Sequence, residues 1–127
     1  MPIKTPPAEY PAWRTDPTDR AEDAAYTFGY YLVRHCRDEA IASLPSVASP
    51  EARATAEGAV DLALHNVMDM LEGFWPLQSG ESHSVEYVLQ VLVRDTAGNA
   101  VENIELSPAK LDLPIGYWKW ARDGEFR

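Results

Sequence analysis

The chain has 127 residues, 46% of them hydrophobic, and its 11 basic and 20 acidic residues give a formal net charge of −9. This length and composition favour one folded domain with a hydrophobic core and argue against a disordered chain. The negative charge repels phosphate backbones and anionic lipid surfaces, so we expect neither nucleic acid nor membranes as partners.

The chain contains one cysteine, Cys36. A single cysteine excludes a disulfide within the chain and any cysteine-based metal cluster. Cys36 falls on the apolar stripe of the first predicted helix, so we expect a buried thiol there. Residues 1–20 carry no apolar signal segment, and no apolar run is long enough to cross a bilayer, which predicts a cytoplasmic protein.

Residues 1–15 are predicted to form an extended arm, because four prolines interrupt them. Residues 16–127 are predicted to form a single α+β domain. Its first helix should begin at Asp16 and end near Leu44, just before Pro45. The apolar stripe of this helix consists of Ala21, Ala25, Phe28, Leu32 and Cys36.

The longest helical pattern in the sequence runs from Pro50 to Glu72. Ser49 can cap its first turn, and Gly73 suits the left-handed residue that follows a helix. Because the connection to the first helix is short, the two helices should form an antiparallel hairpin. The predicted inward stripe of the second helix is Ala56, Val60, Ala63, Leu64, Val67 and Leu71.

Two charged residues, Glu39 and Arg53, fall on the predicted inward sides of these helices. Antiparallel alignment would bring them together, so we predict a structural ion pair across the hairpin. His35 lies one turn before Glu39 and offers the alternative of a general acid–base pair. No nucleophile or phosphate loop is visibly coupled to that pair, so it indicates no reaction class.

In the second half of the chain the period changes to two, which predicts a strand over residues 84–94. A turn over residues 95–99 leads into an antiparallel strand over residues 100–106, and residues 77–83 are predicted as a polar loop. Because a lone hairpin is marginal, residues 115–120 or the N-terminal arm should add a third strand, or a second subunit should complete the sheet. The predicted fold class is therefore α+β, with a long antiparallel helical hairpin packed on a small antiparallel sheet.

The aromatic residues Tyr117, Trp118 and Trp120, together with Trp13 and Trp75, offer two interpretations. They can line a groove, but so dense a group is more typical of the core.

The second helix carries an acidic ridge, which we define as Asp61, His65, Asp69 and Glu72. Residues four apart lie on one face of a helix, so the ridge is predicted as a solvated, carboxylate-rich face. A histidine between carboxylates can also ligate a metal ion, with Asp61, His65 and Asp69 as the candidate ligands and Glu57 as a further one.

The leading functional hypothesis is a non-enzymatic interaction protein that presents the acidic ridge to a basic protein partner. Small acidic inhibitors and immunity proteins act in this way, and the comparison is one of charge only. One alternative is a metal-binding protein or hydrolase that uses Asp61, His65 and Asp69. Another is a homodimer that binds a small molecule between helices and sheet. No catalytic residue and no cofactor are predicted.

A symmetric dimer is also predicted, because a two-stranded hairpin with hydrophobic residues on both faces needs a cover. The contact should form through the sheet edge or through the outer side of the helices, where Leu62 is an apolar residue on the predicted polar side of the second helix.

Overall fold

The computed structural model describes residues 20–73, 77–107 and 112–126. The predicted arm over residues 1–15 and the predicted helix start at Asp16 lie outside the described residues. Within the described ranges, no helix is long and apolar enough to cross a membrane.

The first helix consists of three continuous segments. They are α1 (Arg20–Tyr31), a π-helical segment (Leu32–Arg37) and α2 (Asp38–Ala42). The helix thus ends two residues before the predicted end at Leu44, and a short connection leads to the next helix.

Helix α3 spans Pro50–Leu71 and begins where the sequence predicts. The Ser49 hydroxyl accepts a hydrogen bond from the backbone N–H of Ala52 at 3.1 Å, which satisfies one free donor of the first turn. Gly73 ends the helix with a φ of 70°, a left-handed conformation that glycine adopts without strain.

The main hairpin pairs β3 (Gln90–Arg94) with β4 (Ala100–Glu105) in antiparallel register, as predicted. Asp95 organises the turn, because its Oδ1 accepts the backbone N–H groups of Ala97 and Asn99 at 2.9 and 3.0 Å. Strand β3 is shorter than the strand predicted over residues 84–94.

A second small hairpin occupies the region predicted as a polar loop. Strands β1 (Leu77–Ser79) and β2 (His83–Val85) pair antiparallel and form a separate two-stranded sheet. Gly80, at a φ of 71°, permits the tight turn between them.

The prediction of a third strand over residues 115–120 is wrong. These residues lie in helix α4 (Leu113–Trp118) and in a π-helical segment (Lys119–Asp123) that continues it. Asp112 caps the helix, because its Oδ1 accepts the backbone N–H of Ile115 at 3.1 Å. Helical spacing lets Tyr117 and Trp120 enter the same core, which alternation along a strand would not.

The core has two clusters of buried side chains that are bridged by Phe28 and Leu89. The larger cluster lies where the first helix, α3 and α4 meet, and consists of Val33, Met68, Leu113, Tyr117 and Trp120. The smaller cluster lies between α1 and the main hairpin and consists of Ala24, Ala25 and Leu106. The α+β fold class, with helices packed on a small antiparallel sheet, is therefore confirmed.

The π-helical segment shifts the inward face of the first helix by one residue. Val33 is buried where the sequence predicts Leu32, and Arg37 turns inward where it predicts Cys36. Cys36 is exposed, so the prediction of a buried thiol is wrong. The physical reason is that i→i+5 hydrogen bonding puts one extra residue into the turn, which the ideal helical period does not anticipate.

Gly29 of α1 packs directly against the indole ring of Trp120. A Cβ at this position would lie 2.8 Å from Cε3 of Trp120 and closer still to two other atoms of the indole ring. We therefore expect Gly29→Ala to lower the free energy of unfolding by about 2 kcal/mol or more, because a close-packed ring cannot move aside.

Gly58 provides the matched control, since a Cβ there meets no atom within 4 Å. Gly58→Ala should raise the free energy of unfolding by about 0.5–1 kcal/mol through helix propensity. Urea unfolding of both variants measures the difference, and equal effects at the two positions would contradict the packing.

Candidate functional site

Asp61 lies at the meeting point of the helices, and its carboxylate receives Arg37 from the π-helical segment. Nε of Arg37 lies 2.6 Å from Oδ1, and Nη2 lies 3.3 Å from Oδ2. Both side chains are mostly buried. This two-pronged contact is the strongest geometry available to a guanidinium and a carboxylate.

Tyr117 of α4 completes the group. Its hydroxyl donates a hydrogen bond to Oδ1 of Asp61 at 2.6 Å, and the residue is fully buried. We call Arg37, Asp61 and Tyr117 the Asp61 cluster. It joins three helical segments that are far apart in the sequence.

The cluster fixes the protonation states of its members. Burial raises the pKa of Asp61, but the hydrogen bonds from Arg37 and Tyr117 and the charge of Arg37 outweigh it, so the pKa lies below its ordinary value of 3.8. Burial and the bond to Asp61 raise the pKa of Tyr117 well above 10.0. The hydrogen bond to Asp61 also raises the pKa of Arg37. Asp61 is therefore an anion and Tyr117 a neutral donor near neutral pH.

The rest of the acidic ridge also lies against the C-terminal helix. His65 stacks on Trp118 with ring centroids 5.0 Å apart and an interplanar angle of 25°. Nδ1 of His65 lies 3.6 Å from Oδ2 of Asp69. On Trp118 the guanidinium carbon of Arg122 lies 4.1 Å from the ring centroid, a cation–π contact.

The predicted solvent exposure of the ridge is therefore wrong. The side chains of Asp61 and Asp69 are only 16% and 15% exposed. Glu72 is half-buried, and its Oε1 accepts the backbone N–H of Leu113 at 3.4 Å. The physical reason is that α4 packs on this side of α3, so that Ala63 and Val67 of the predicted inward stripe are exposed instead.

The predicted ion pair between Glu39 and Arg53 does not form. Arg53 donates to the backbone carbonyl of Pro45 at 3.1 Å, and Glu39 lies 3.6 Å from Nδ1 of His35. An ion pair across the helical hairpin does exist, but Arg37 and Asp61 make it.

The sequence singles out Asp61 but neither of its partners as site residues. Arg37 gives no signal, because the ideal helical period does not turn it inward. The sequence offers a groove or the core as the place of Tyr117, and its burial confirms the core interpretation.

The geometry gives little support to metal binding or hydrolysis. Among the described residues, no group of three or more histidine, cysteine, aspartate or glutamate side chains could hold a metal ion. Both carboxylate oxygens of Asp61 are engaged by Arg37. Tyr117 keeps its proton near neutral pH, so it can donate a hydrogen bond but cannot act as a base. The cluster therefore joins three helical segments and has no group placed for catalysis.

A small cavity of 200 Å³ lies between α1 and α4. It is lined by Ala25, Tyr26, Leu113, Ile115 and Trp120 among others. Its volume is below the roughly 300–1,000 Å³ of ordinary ligand pockets. It also lies between helices and not between helices and sheet, where the small-molecule hypothesis would place a ligand.

The sequence matches no protein-family model, and no curated protein and no solved structure is significantly similar to it.

Tyr117→Phe tests the hydrogen bond from Tyr117 to Asp61 without disturbing the packing of the ring. The variant removes the hydrogen bond to a mostly buried carboxylate, and we expect it to lower the free energy of unfolding by about 1–3 kcal/mol. Tyr87→Phe is the control, because Tyr87 is 54% exposed. Its effect should stay within about 0.5 kcal/mol. Equal losses in urea unfolding would contradict the assigned bond.

The same cluster predicts how stability depends on pH. Since the folded pKa of Asp61 lies below 3.8, its contribution is present above that pH and is lost as the pH falls through the folded pKa. Since the folded pKa of Tyr117 lies above 10.0, its contribution is present below pH 10.0 and is lost as the pH rises further. Unfolding titrations should show a weaker acid dependence in Asp61→Asn than in the wild type.

Proposed function

We propose that the chain is a non-enzymatic interaction protein that binds a basic protein partner through the outer side of α3. The observation that carries this proposal is an exposed helix face that has no charged side chain after Glu51 in its first turn, on a chain whose net charge is −9. Charged residues make up 24% of the sequence, so a face of this length with so little charge is unusual for a solvated surface.

We define the outer face of α3 by its exposed residues at helical spacing. These are Ala52, Thr55, Ala59, Leu62, Ala63, Asn66, Val67 and Met70. Leu62 is 58% exposed, Val67 41% and Met70 37%. The exposed Glu51 lies one turn before Thr55 and adds a single charge at the start of this face. The exposed Glu57 is two positions from Thr55 and from Ala59, so it lies on the opposite side of the helix. Small residues on this face would let a partner helix approach closely, and Leu62 and Met70 would be its anchors.

The charge of the chain argues for a basic partner. A net charge of −9 attracts a positively charged protein over a long range and speeds encounter, while the apolar face supplies affinity after contact. Asp61 and Asp69 of the acidic ridge already have partners within the chain, so the proposal assigns them no direct role in binding. The same charge disfavours nucleic acid as a partner.

The proposal includes a cytoplasmic location. Its support is the exposed thiol of Cys36, since a free, accessible cysteine is best preserved in a reducing compartment. Fractionation of cells that express the tagged protein tests this part independently of any partner.

The experiment for the outer face compares Leu62→Glu with the wild type. Each protein is immobilised and exposed to a lysate of its source organism at low salt, and the dissociation constant of the retained basic protein is then measured with purified components. We expect Leu62→Glu to weaken binding by tenfold or more, since it buries a carboxylate in an apolar contact. Added salt should weaken binding to the wild type.

Val47→Glu is the matched control, because Val47 is 92% exposed and lies in the connection before α3. It adds the same charge outside the outer face and should bind like the wild type. Equal binding by all three proteins, or retention of an acidic partner only, would refute the proposal.

A further inference from the structure

Among the described residues, the edge of β3 that faces away from β4 is open. The main sheet has two described strands, and no other described strand pairs with β3. Helix α1 packs on one face of the hairpin, mainly against β4. An open edge of this kind presents a row of backbone donors and acceptors.

The hydrogen bonds at both ends of β3 show which residues face the open edge. The carbonyl of Leu89 accepts the N–H of Leu106 at 2.8 Å, and the N–H of Asp95 donates to the carbonyl of Asn99 at 2.9 Å. Residues along a strand alternate in the direction of their backbone groups.

Odd-numbered residues from 89 to 95 therefore face β4. Gln90, Leu92 and Arg94 direct their N–H and C=O groups to the open edge. The side chain of Leu92 is also 51% exposed.

We propose that this edge is the interface of a homodimer, in which β3 pairs antiparallel with β3 of a second copy across a twofold axis at Leu92. Leu92 then lies opposite the partner's Leu92, and Gln90 lies opposite the partner's Arg94. By symmetry, Arg94 lies opposite the partner's Gln90. All three pairs are at hydrogen-bonded positions, so the backbone N–H and C=O groups of these residues are all paired across the axis. The two hairpins become one four-stranded sheet, which is an ordinary size.

The sequence of the strand, Gln-Val-Leu-Val-Arg, favours a second copy over an unrelated peptide. In a twofold-symmetric pairing, the side chains of opposing residues must be compatible in charge and polarity. Every opposing pair of this strand meets that condition. Its only charged residue, Arg94, faces the neutral Gln90, so no like charges oppose each other. Val91 meets the partner's Val93 and extends the apolar layer that Val91 already forms with Ala24 and Ala25.

The net charge gives this interface a distinctive salt dependence. Two copies that each carry −9 repel one another at long range, and salt screens that repulsion. Dimerisation should therefore strengthen with added salt, whereas binding of a basic partner to the outer face of α3 should weaken. The two interactions can thus fail or succeed independently.

The first experiment measures the mass of the full chain by sedimentation over a range of protein concentrations at low and high salt. We expect a mass of twice 14.2 kDa at high concentration and a tighter dimer at high salt. Leu92→Lys should raise the dissociation constant by tenfold or more, because two lysines would face each other at the axis. Val101→Lys adds the same charge to an exposed position on β4 and should leave the dimer intact.

The second experiment uses a cross-link and does not depend on the folding of Leu92→Lys. Hydrogen-bonded antiparallel pairs have Cα atoms about 5.5 Å apart, within the range that a disulfide spans. On a Cys36→Ser background, mild oxidation of Leu92→Cys should give a covalent dimer, and Val101→Cys should not.

A wild-type monomer under all conditions would overturn the proposal. So would a dimer that Leu92→Lys does not weaken and Leu92→Cys does not cross-link. If Leu62→Glu dissociated that dimer, the outer face of α3 would be the interface between copies instead.

Discussion

The carboxylate of Asp61 connects three helical segments that are far apart in the sequence. Arg37 reaches it from the first helix and Tyr117 from the C-terminal helix, each with a contact of 2.6 Å. Removing charges from water is costly, and only close, well-aligned partners offset that cost. The group stabilises one relative position of three helical segments because any slip would leave a buried charge without its partner.

The π-helical segment at Leu32–Arg37 makes this contact available. In an ideal helix the inward stripe would continue to Cys36, and Arg37 would lie beside it. With one extra residue in the turn, Val33 enters the core and Arg37 faces Asp61. The sequence predicts the two long helices and the cap at Ser49, since these depend on local patterns. It could not predict the ion pair, because that depends on a departure from the local period.

Helix α4 is a second element that local patterns do not predict. Its aromatic residues Tyr117 and Trp118, with Trp120 just after them, form a run that suits a strand, and tertiary packing favours the helix. The sequence did hold one usable signal, which is the presence of Asp69 and Glu72 at the end of α3, where the helix dipole disfavours acids. Both have partners in the folded chain, Asp69 in His65 and Glu72 in the N–H of Leu113. Acids at that position indicated a neighbouring element, and the interpretation as a solvated face missed it.

The internal use of these charges bears on function. Because the acidic ridge is directed at α4, the outward side of α3 consists mainly of small and apolar residues, with Leu62 and Met70 the largest among them. The main hairpin likewise turns Val91 to the core and leaves the backbone of Leu92 at an open edge. Both surfaces are therefore a consequence of which side chains α3 and β3 direct into the interior. If two copies join at β3, each dimer presents two outer faces of α3, and a partner with two matching segments would bind with the avidity of a linked pair.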